Sequence, residues 1–532
     1  MSALLAGERG APGGERFVAR AASLTAVLIA AGALCGLLRD QIIATLFGAD
    51  GATDAFLVSW TVPEFAATLL IEEGTAMVLV PAFSLALARG GDAGVRALFA
   101  ATFPRLLLAL AAAAGALAAG APLVVRALAP GLADPALAVD CTRLTAVTLL
   151  TFGVAGYFSA ALRAHRSFLP PAAIYLAYNV GIVSTALTLH ALWGVRAAAA
   201  GVAVGGVLMV LVQLPFFLRR LPARSRSRGP AVAPVALAGA AVIAPVALFA
   251  LARQSQVLVE RFLAAGLPPG AISCLNYAQK VAQLPMVLAM MICTVTLPLV
   301  ARAVADGDLE RARRRVERDL LLAGLVVLLG AAYVAAYAPQ IVELLFQRGA
   351  FGPEATAATA GVMRVYALGL LGHTLVGALA RPFFSAARPT WFPLAAMVPG
   401  LLVTAAGGLV AVGPWGAPGI AAANAAGISL TALLLLRGLA GRTIPVDTRL
   451  LLGRFARLAG AALLAAAAGW AAALPGSTPL PSLALGCVLV PAVFAAAALA
   501  LRVPEAALFL SALLLKARTF PITLKQRHRH VR

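Results

Sequence analysis

The sequence predicts an all-α protein that crosses a membrane about fourteen times. Its 532 residues are 62% hydrophobic and only 12% charged, and the mean hydropathy is +0.94. Soluble globular proteins are nearer ~45–50% apolar, so this composition excludes a soluble fold. Apolar runs of about 20 residues recur along the whole chain, the length that a helix needs to cross the hydrocarbon core. A membrane β-barrel would instead show weaker alternating segments of about 10 residues.

The predicted spans follow one another from residue 20 to residue 502. Each is bounded by charged residues or by clusters of Gly and Pro, and the approximate ranges are 20–47, 53–87, 97–127, 138–163, 170–192, 196–218, 234–263, 270–302, 316–345, 356–386, 390–412, 417–437, 450–473 and 480–502. The second and eighth exceed the ~20 residues needed to cross. We therefore expect these two to tilt, to break or to extend beyond the membrane.

Basic residues are spread over the connections between spans, although the net charge is +21. This distribution argues against a nucleic-acid-binding patch. Arginines recur in alternate connections, whereas connections near 49–52, 266–270, 413–418 and 475–481 contain no Lys or Arg. By the positive-inside rule, this alternation predicts that both termini are cytosolic.

The chain contains a weak internal repeat that predicts two lobes. LVPAFSLALARGGD, with Pro81, resembles TLPLVARAVADGD, with Pro298, and Arg166–Pro170 resembles Arg388–Pro393. The predicted parts are an N-terminal six-helix lobe at 1–218, a cytosolic linker at 219–233, a C-terminal six-helix lobe at 234–437, two extra helices at 438–502, and an interfacial segment with a basic cytosolic tail at 503–532. Parallel repeats of this kind are a transporter plan with the substrate site between the repeats.

No enzyme constellation is present in the sequence. The five cysteines have no paired spacing, and there is no P-loop, HExxH or GxSxG motif. The histidines form no ligand spacing beyond a pair in the tail. We therefore expect neither catalysis nor a metal or cofactor.

Charged residues lie inside the first two predicted spans, between Gly36 and Pro81. They are Arg39, Asp40, Asp54, Glu64, Glu72 and Glu73. An ionised group near the bilayer centre costs roughly 2.5–3.5 kcal/mol on insertion scales, so this cluster predicts an internal polar chamber. Alternatively, Arg39 and Asp40 neutralise each other, and Glu72 and Glu73 lie near a cytosolic helix end.

The second predicted lobe has its own intramembrane polar groups. Ser273, Asn276, Lys280 and Gln283 fall on one helical stripe. Amides on such a stripe either line a cavity or join helices by hydrogen bonds. Lys280 favours function, because a buried ammonium needs a partner or water and the chain has only two other lysines.

The seventh span adds three charged residues, Arg253, Glu260 and Arg261. Arg253 and Glu260 are seven residues apart and share a helix face. These charges either pair structurally, with each other or with the first lobe, or contribute to the chamber. Arg39 and Lys280, as cations from corresponding spans, would attract a phosphate or pyrophosphate. The carboxylates would pair with these cations when substrate is absent, or bind a coupling ion.

Several motifs together resemble the MurJ/MviN family of lipid II flippases, within the multidrug/oligosaccharidyl-lipid/polysaccharide exporter superfamily. They are RDQIIATLFGADGATDAF, LVP at 79–81, QVLVERFLAAGLPPGAISCLNYAQKVAQLP at 256–285, LP at 297–298, and LFQRGAFGPEATAATAG followed by RPFFSAARPTWFP. The resemblance implies a V-shaped, two-lobed, fourteen-helix carrier in the bacterial plasma membrane. It would move undecaprenyl-pyrophosphate-linked peptidoglycan precursor to the outer leaflet by alternating access, with the lipid tail in a groove at the last two spans.

The resemblance also implies roles for individual residues. Arg39, Asp54, Glu72 and Lys280 match substrate-binding or transport positions, and the family has arginine at the position of Lys280. The further candidates for the cavity or its gate are Asp40, Glu73, Arg253, Glu260, Arg261, Asn276 and Gln283. Expected partners are an anionic lipid-linked substrate, membrane lipids and cell-wall synthesis proteins, with no nucleic acid. No cofactor is expected beyond a coupling ion or the membrane potential.

Three residues depart from the family pattern. Ala33 occupies a position that is arginine in many members, and Ala67 and Thr68 replace an arginine pair. The substrate is therefore open between lipid II and another polyprenyl-linked saccharide or amphiphile. A third interpretation is a membrane scaffold that recruits cell-wall enzymes and transports nothing.

Overall fold

The computed structural model describes residues 12–73, 78–220, 240–385, 390–473 and 478–507, and within these ranges the secondary structure is helical. The helices are α1 Pro12–Phe47, α2 Gly51–Ala67, α3 Val80–Leu128, α4 Pro135–Thr145, α5 Thr148–Ala164, α6 Leu169–Trp193, α7 Arg196–Arg220, α8 Ala240–Ala264, α9 Ala271–Ala282, α10 Leu284–Ala305, α11 Leu309–Phe346, α12 Pro353–Ser385, α13 Phe392–Arg442, α14 Thr448–Ala472 and α15 Pro479–Ala500. A π-helical segment, Thr68–Glu73, continues α2.

The protein is a multi-pass membrane protein. Among the described residues, eleven helices are long and apolar enough to cross a membrane. The predicted seventh and eighth spans are not among the eleven; the eighth is divided between α9, which has 12 residues, and α10. Helix α13 counts once but covers two predicted spans, which meet at Gly416, where φ is +58°. The predicted linker at 219–233 lies largely outside the described residues, as does the predicted tail beyond 507.

Two predicted interruptions coincide with features of the structure. The range α3 contains two helical stretches that meet at Gly91, where φ is +55°, inside the predicted connection at 88–96. The eighth span breaks, one of the outcomes expected from its length, because α9 ends at Ala282 and α10 begins at Leu284. Pro285 explains this break: it lacks the N–H that would continue the hydrogen-bond ladder. The polar stripe therefore stays on α9 up to Lys280, and Gln283 lies at the break.

Aspartates define the starts of several helices. Asp50 accepts the N–H of Thr53 at 2.9 Å, and Asp134, Asp308 and Asp447 cap α4, α11 and α14 in the same way. An N-cap carboxylate satisfies an otherwise unpaired backbone donor and opposes the positive end of the helix dipole. These short polar caps explain where the apolar helices begin.

The described chain divides into two compact units, Met1–Ser273 with Arg348–Phe351, and Cys274–Gln347 with Gly352–Arg532. These units are defined by packing, whereas the predicted lobes are defined by duplication. The two six-helix lobes therefore remain a prediction.

Small residues allow helices to approach closely within each unit. In the first unit, a Cβ added at Gly181 of α6 would lie 2.5 Å from the Cα of Gly205 on α7. In the second unit, a Cβ at Gly372 of α12 would lie 3.0 Å from Ser429 on α13. Helices in lipid associate through such close packing rather than through the hydrophobic effect.

Candidate functional site

The guanidinium of Arg39, which is surrounded by other side chains, is the centre of the candidate site in the first unit. Arg39 is only 9% exposed. Its Nε and Nη2 donate to Oδ1 of Asp40 at 3.0 and 2.8 Å, and its Nη1 donates to Oδ1 of Asn179 at 2.8 Å. The predicted neutralisation of Arg39 by Asp40 is therefore present, and Asn179 is a partner that the sequence reasoning missed.

Trp60 and Tyr178 complete the surroundings of Arg39. The Arg39 Cζ lies 4.4 Å from the centroid of the Trp60 ring, and Trp60 Nε1 donates to the Tyr178 hydroxyl at 3.1 Å. The amide nitrogen of Asn179 donates to the carbonyls of Gly32 and Tyr175. The charged Arg39 side chain thus connects α1 to α2 through the face of the Trp60 ring, and to α6 through its hydrogen bond to Asn179.

Asp54, a residue of α2, lies elsewhere in the first unit, next to the start of α9. It is 4% exposed and accepts the backbone N–H groups of Gly270 and Ser273, both at 2.7 Å, and the Ser273 hydroxyl at 2.5 Å. Gly270 has φ +96°, and a Cβ there would meet the carbonyl of Ala49. In this conformation Asp54 is a helix cap supplied from a distant part of the sequence. Its predicted role in transport remains a prediction.

The loop 348–351 joins the same region. The N–H of Ala350 donates to the carbonyl of Thr45 at 2.9 Å. Gly48, at φ +70°, and Gly349, at φ +57°, leave no room for a Cβ, because it would meet Ala350 or Thr45. The backbone segments 45–54, 265–273 and 348–351 therefore form a tight junction within the first unit, which we call the glycine junction.

Arg261 connects α8 to α2. It is 5% exposed, donates to Oε2 of Glu64 at 3.1 Å and also donates to the Thr61 hydroxyl. Gln254, two turns earlier on α8, donates to the Thr68 hydroxyl at 3.3 Å. The charges of α8 were expected either to form structural pairs or to contribute to the chamber, and Arg261 forms a structural pair. Its partner Glu64 was not among the predicted transport or gate residues.

The remaining candidates of the first unit lie in several environments. Glu72 is exposed and accepts a hydrogen bond from the Tyr175 hydroxyl at 3.2 Å. It also interacts electrostatically with the positive charge of Arg253. Arg253 is exposed whereas Glu260 is 4% exposed. The side chain of Glu73 lies outside what the structure describes.

In the second unit, Asn276, Lys280 and Gln283 are half-buried. The side-chain nitrogen of Asn276 has no hydrogen-bond partner among the described residues. Asn276 and Lys280 are four residues apart on α9, about one helical turn, and so lie on the same face. Their roles in the cavity remain predictions.

Comparison with known proteins identifies the family. Residues 43–476 match the family model described as "Lipid II flippase MurJ". The chain belongs to the MurJ family of lipid II flippases. The "Lipid II flippase MurJ" of Burkholderia cenocepacia is 30% identical over 445 residues, which cover 81% of this chain and 85% of that protein. The "Probable lipid II flippase MurJ" of Rhizobium meliloti is 29% identical and covers 87% of this chain and 89% of its own length.

Solved structures agree on the fold of the MurJ family. The structure titled "Lipid II flippase MurJ, inward closed conformation" has a TM-score of 0.72 at 18% identity, covering 88% of this chain and 97% of that one. An inward-facing multidrug resistance MATE family transporter of the MOP superfamily has a TM-score of 0.63 at 14% identity, covering 76% and 93%. The fold predicted from the MurJ resemblance is confirmed as a polytopic helical transporter fold.

Asn179 could have been found from the sequence, whereas the pairing of Glu64 could not. Asn179 is an amide inside the apolar fifth predicted span, and a polar side chain in such a position usually has a partner on another helix. Glu64 was noticed as an intramembrane charge, but nothing in its spacing identified Arg261, 197 positions away, as its partner. Only the folded arrangement of α2 and α8 reveals that pair.

Proposed function

We propose that the protein is a lipid II flippase of the bacterial plasma membrane. It moves the undecaprenyl-pyrophosphate-linked peptidoglycan precursor from the cytosolic to the outer leaflet by alternating access, and both of its termini face the cytosol. Membership of the MurJ family supports this function. The reaction makes and breaks no covalent bond, so the side chains act by binding, charge neutralisation and gating.

The observation that carries the mechanism is the arrangement around Arg39. Its donors already bind an anion, the carboxylate of Asp40, in a buried setting. The oxygens of a pyrophosphate are further apart than those of a carboxylate, so the same guanidinium can donate to two of them at once. We infer that Asp40 holds the charge of Arg39 while the site is empty and that the substrate pyrophosphate replaces it. Asn179 and Trp60 keep the guanidinium oriented through the exchange.

Lys280 and Glu72 have further roles in this proposal. Lys280, in the second unit, supplies a positive charge as a flexible point charge, and Asn276, on the same helix, supplies an amide donor. Glu72, held by the Tyr175 hydroxyl, repels the pyrophosphate and so favours its onward movement. Membrane lipids and cell-wall synthesis proteins are the proposed partners at the two surfaces.

Asp54 and the glycine junction form the gate in this proposal. The cap from Asp54 to Gly270 and Ser273 must break whenever segments 45–54 and 265–273 separate. Hydrogen bonds to a charged acceptor contribute roughly 1.5–3 kcal/mol each, so the junction stays closed unless transport energy opens it. We propose that a coupling ion or the membrane potential supplies that energy.

Arg39 variants test this function in cells and in vesicles. In a strain depleted of its own lipid II flippase, the wild-type protein should restore growth and lipid II exposure at the outer face. Arg39→Ala should lower transport by at least about tenfold, the effect of ~1.4 kcal/mol. Arg196→Ala is the matched control, because Arg196 is exposed and its one ion pair among the described residues is with Asp140, whose side chain is 43% exposed.

A paired variant separates loss of transport from loss of folding. Arg39→Ala leaves the Asp40 carboxylate buried without its cation, which is destabilising. The double variant Arg39→Gln with Asp40→Asn removes both charges and should fold. Transport at the wild-type rate by this folded double variant would contradict the proposed role of Arg39.

A second candidate function is transport of another polyprenyl-linked saccharide. It is favoured by Ala33, Ala67 and Thr68, which stand where many family members have arginine. Thr68 is buried and accepts a hydrogen bond from the neutral amide of Gln254 at 3.3 Å, so its side chain does not supply the charge that arginine would. Reconstituted vesicles that receive lipid II in one arm and other undecaprenyl-linked sugars in another would decide. Faster transport of another sugar, with normal expression but no rescue of the depleted strain, would favour the second candidate.

A further inference from the structure

A basic cavity lies between the end of α10 and the start of α11, entirely within the second unit. Its volume is about 400 Å³, within the ~300–1,000 Å³ typical of ligand sites. Its charged lining consists of Arg302, Asp306, Arg311, Arg314, Arg315 and Arg318. Leu299 and Ala303 of α10 add an apolar wall. Five guanidinium groups and one carboxylate around a cavity point to an anionic ligand.

The arginines of α11 form a stripe on one helix face. Residues 311, 314, 315 and 318 follow the i, i+3, i+4, i+7 spacing that places side chains on the same side of a helix. Like charges at this spacing repel one another. The repulsion is relieved only where a negative partner, water or salt intervenes. The stripe faces Arg302, which adds a further positive charge from the last turn of α10.

The acidic residues of this region neutralise only part of the cluster. Glu310 and Glu317 bind Arg313, which does not line the cavity, and Glu310 also binds Arg314 at 3.1 Å. Arg315 pairs with Asp319 at 3.4 Å. Asp308 accepts the backbone N–H of Arg311 and so caps the helix. Acids thus hold two of the arginines that line the cavity.

Three cavity arginines keep their side chains available. Arg302, Arg311 and Arg318 are exposed and form no ion pair with any residue that the structure describes. If these arginines served only to set the membrane topology, their side chains would be solvated and would point in several directions. Here the three come from two helices and line one cavity. Guanidinium groups in such a setting bind phosphate oxygens in a two-pronged geometry.

The position of the cavity indicates which phosphate it receives. It lies where the apolar run of α10 ends and the charged residues begin, and the positive-inside rule assigns this connection to the cytosolic side. Leu299, 50% exposed, borders it, so a ligand here meets both an apolar wall and cations. Basic pockets between helices at this level bind headgroups of anionic phospholipids.

We propose that this cavity binds the phosphate group of an anionic phospholipid from the cytosolic leaflet. The site is separate from the proposed function, because the residues that line it include none of the transport candidates. Its occupant would hold the ends of α10 and α11 together by neutralising the arginine stripe. The chemical class recognised is a phosphate ester attached to acyl chains.

Two triple variants test the proposal on the purified full-length protein. Arg302→Gln, Arg311→Gln and Arg318→Gln together remove the available cavity arginines. Arg89→Gln, Arg437→Gln and Arg449→Gln remove three exposed arginines elsewhere, with the same change in net charge. Binding of phosphatidylglycerol is measured by native mass spectrometry from micelles, with phosphatidylcholine as the neutral probe and inorganic pyrophosphate as the soluble one.

The cavity triple should bind phosphatidylglycerol at least about tenfold more weakly than wild type, since each arginine near the surface contributes ~1 kcal/mol. The control triple should change by less than about twofold. Equal weakening in both triples would overturn the proposal, as would binding of pyrophosphate without phosphatidylglycerol. If the cavity triple fails to fold, Arg302→Gln against Arg89→Gln gives the same comparison. Because the readout is lipid binding, it does not depend on which substrate is transported.

Discussion

Arg39 donates from Nη1 to the side-chain oxygen of Asn179, 140 positions further along the chain, at 2.8 Å. The same asparagine donates to two backbone carbonyls, of Gly32 and Tyr175. Asn179 therefore fixes both the guanidinium and the spacing of α1 against α6. The charged residue is the one that sequence reasoning finds, but the neutral amide decides where its donors point.

We expect Asn179→Ala to lower both stability and transport. It leaves a buried guanidinium donor unpaired, and a hydrogen bond to a charged group contributes roughly 1.5–3 kcal/mol. Thermal unfolding in detergent and lipid II transport in vesicles measure the two effects. Ser184→Ala is the control, because Ser184 is on the same helix, exposed, and bonded only to a carbonyl within that helix. An Asn179→Ala protein with wild-type stability and transport would show that Asp40 alone holds Arg39.

We expect Asp54→Ala to expose the start of α9. The carboxylate accepts two backbone N–H groups there, and loss of a helix cap costs ~0.5–2 kcal/mol. Hydrogen–deuterium exchange at Gly270 and Ser273 should accelerate by about tenfold, the factor that corresponds to ~1.4 kcal/mol. Asp54→Asn keeps one acceptor oxygen and should give a smaller increase. Unchanged exchange at both amides in Asp54→Ala would contradict the cap.

We expect the pair of Arg261 and Glu64 to behave as a coupled unit. Removing one partner of a buried ion pair costs up to ~3–5 kcal/mol, and the partial exposure of Glu64, whose side chain is 28% exposed, places its loss at the lower end. Arg261→Gln should therefore destabilise more than Glu64→Gln, because it also loses the bond to Thr61. The double variant should be more stable than the sum of the single effects predicts. Strict additivity in thermal unfolding would argue against a direct pair.

We expect Gly270→Ala to be more damaging than Gly266→Ala. Gly270 has φ +96° and a Cβ there would meet the Ala49 carbonyl, whereas a Cβ at Gly266 would meet nothing within 4 Å. Non-glycine residues in strained backbone regions cost ~1–3 kcal/mol, while alanine at a permissive position is neutral or stabilising by ~0.4–1 kcal/mol. Thermal unfolding of the two variants checks the sign of each effect. Equal stability would mean that the glycine junction tolerates a side chain.

We expect Lys280→Arg to retain transport and Lys280→Gln to lose most of it. Arginine keeps the positive charge and matches the family pattern at this position, whereas glutamine keeps only polarity. Loss of one charge–phosphate contact of ~1.4 kcal/mol corresponds to about tenfold. Vesicle assays at matched protein density measure the rates. Undiminished transport by Lys280→Gln would remove Lys280 from the site.

The sequence was sufficient for the fold class because membrane helices must be both long and apolar. The predicted separations at 88–96 and 413–416 coincide with Gly91 and Gly416, where the backbone leaves the helical conformation and two helical stretches meet. The break in the eighth span lies directly before Leu284 and Pro285. Glycine and proline mark these positions in the sequence because both disfavour a continuous helix.

The candidate site was predicted in part. Charges inside apolar spans identified Arg39, Asp40, Asp54 and Arg261, because a buried charge is costly wherever it lies. Their partners were not identified, since Asn179 and Glu64 are distant in the sequence and their pairing depends on how the helices pack. The cavity on α10 and α11 was hidden for another reason. In the sequence, these arginines indicated only the orientation of the chain in the membrane. Their position on one face of α11 indicates a binding site because the structure places Arg302 of α10 beside the same cavity.

The π-helical segment Thr68–Glu73 sets the direction of Glu72, which lies within it. A π-turn accommodates one residue more than an α-turn, and each residue of an α-helix corresponds to about 100° of rotation. Counting in steps of three or four from Glu64 therefore misplaces Glu72 by roughly that angle. Deleting one residue within the segment would let the helix regularise and would swing Glu72 away from Tyr175. The orientation of this acid is thus encoded by the local number of residues as well as by their identity.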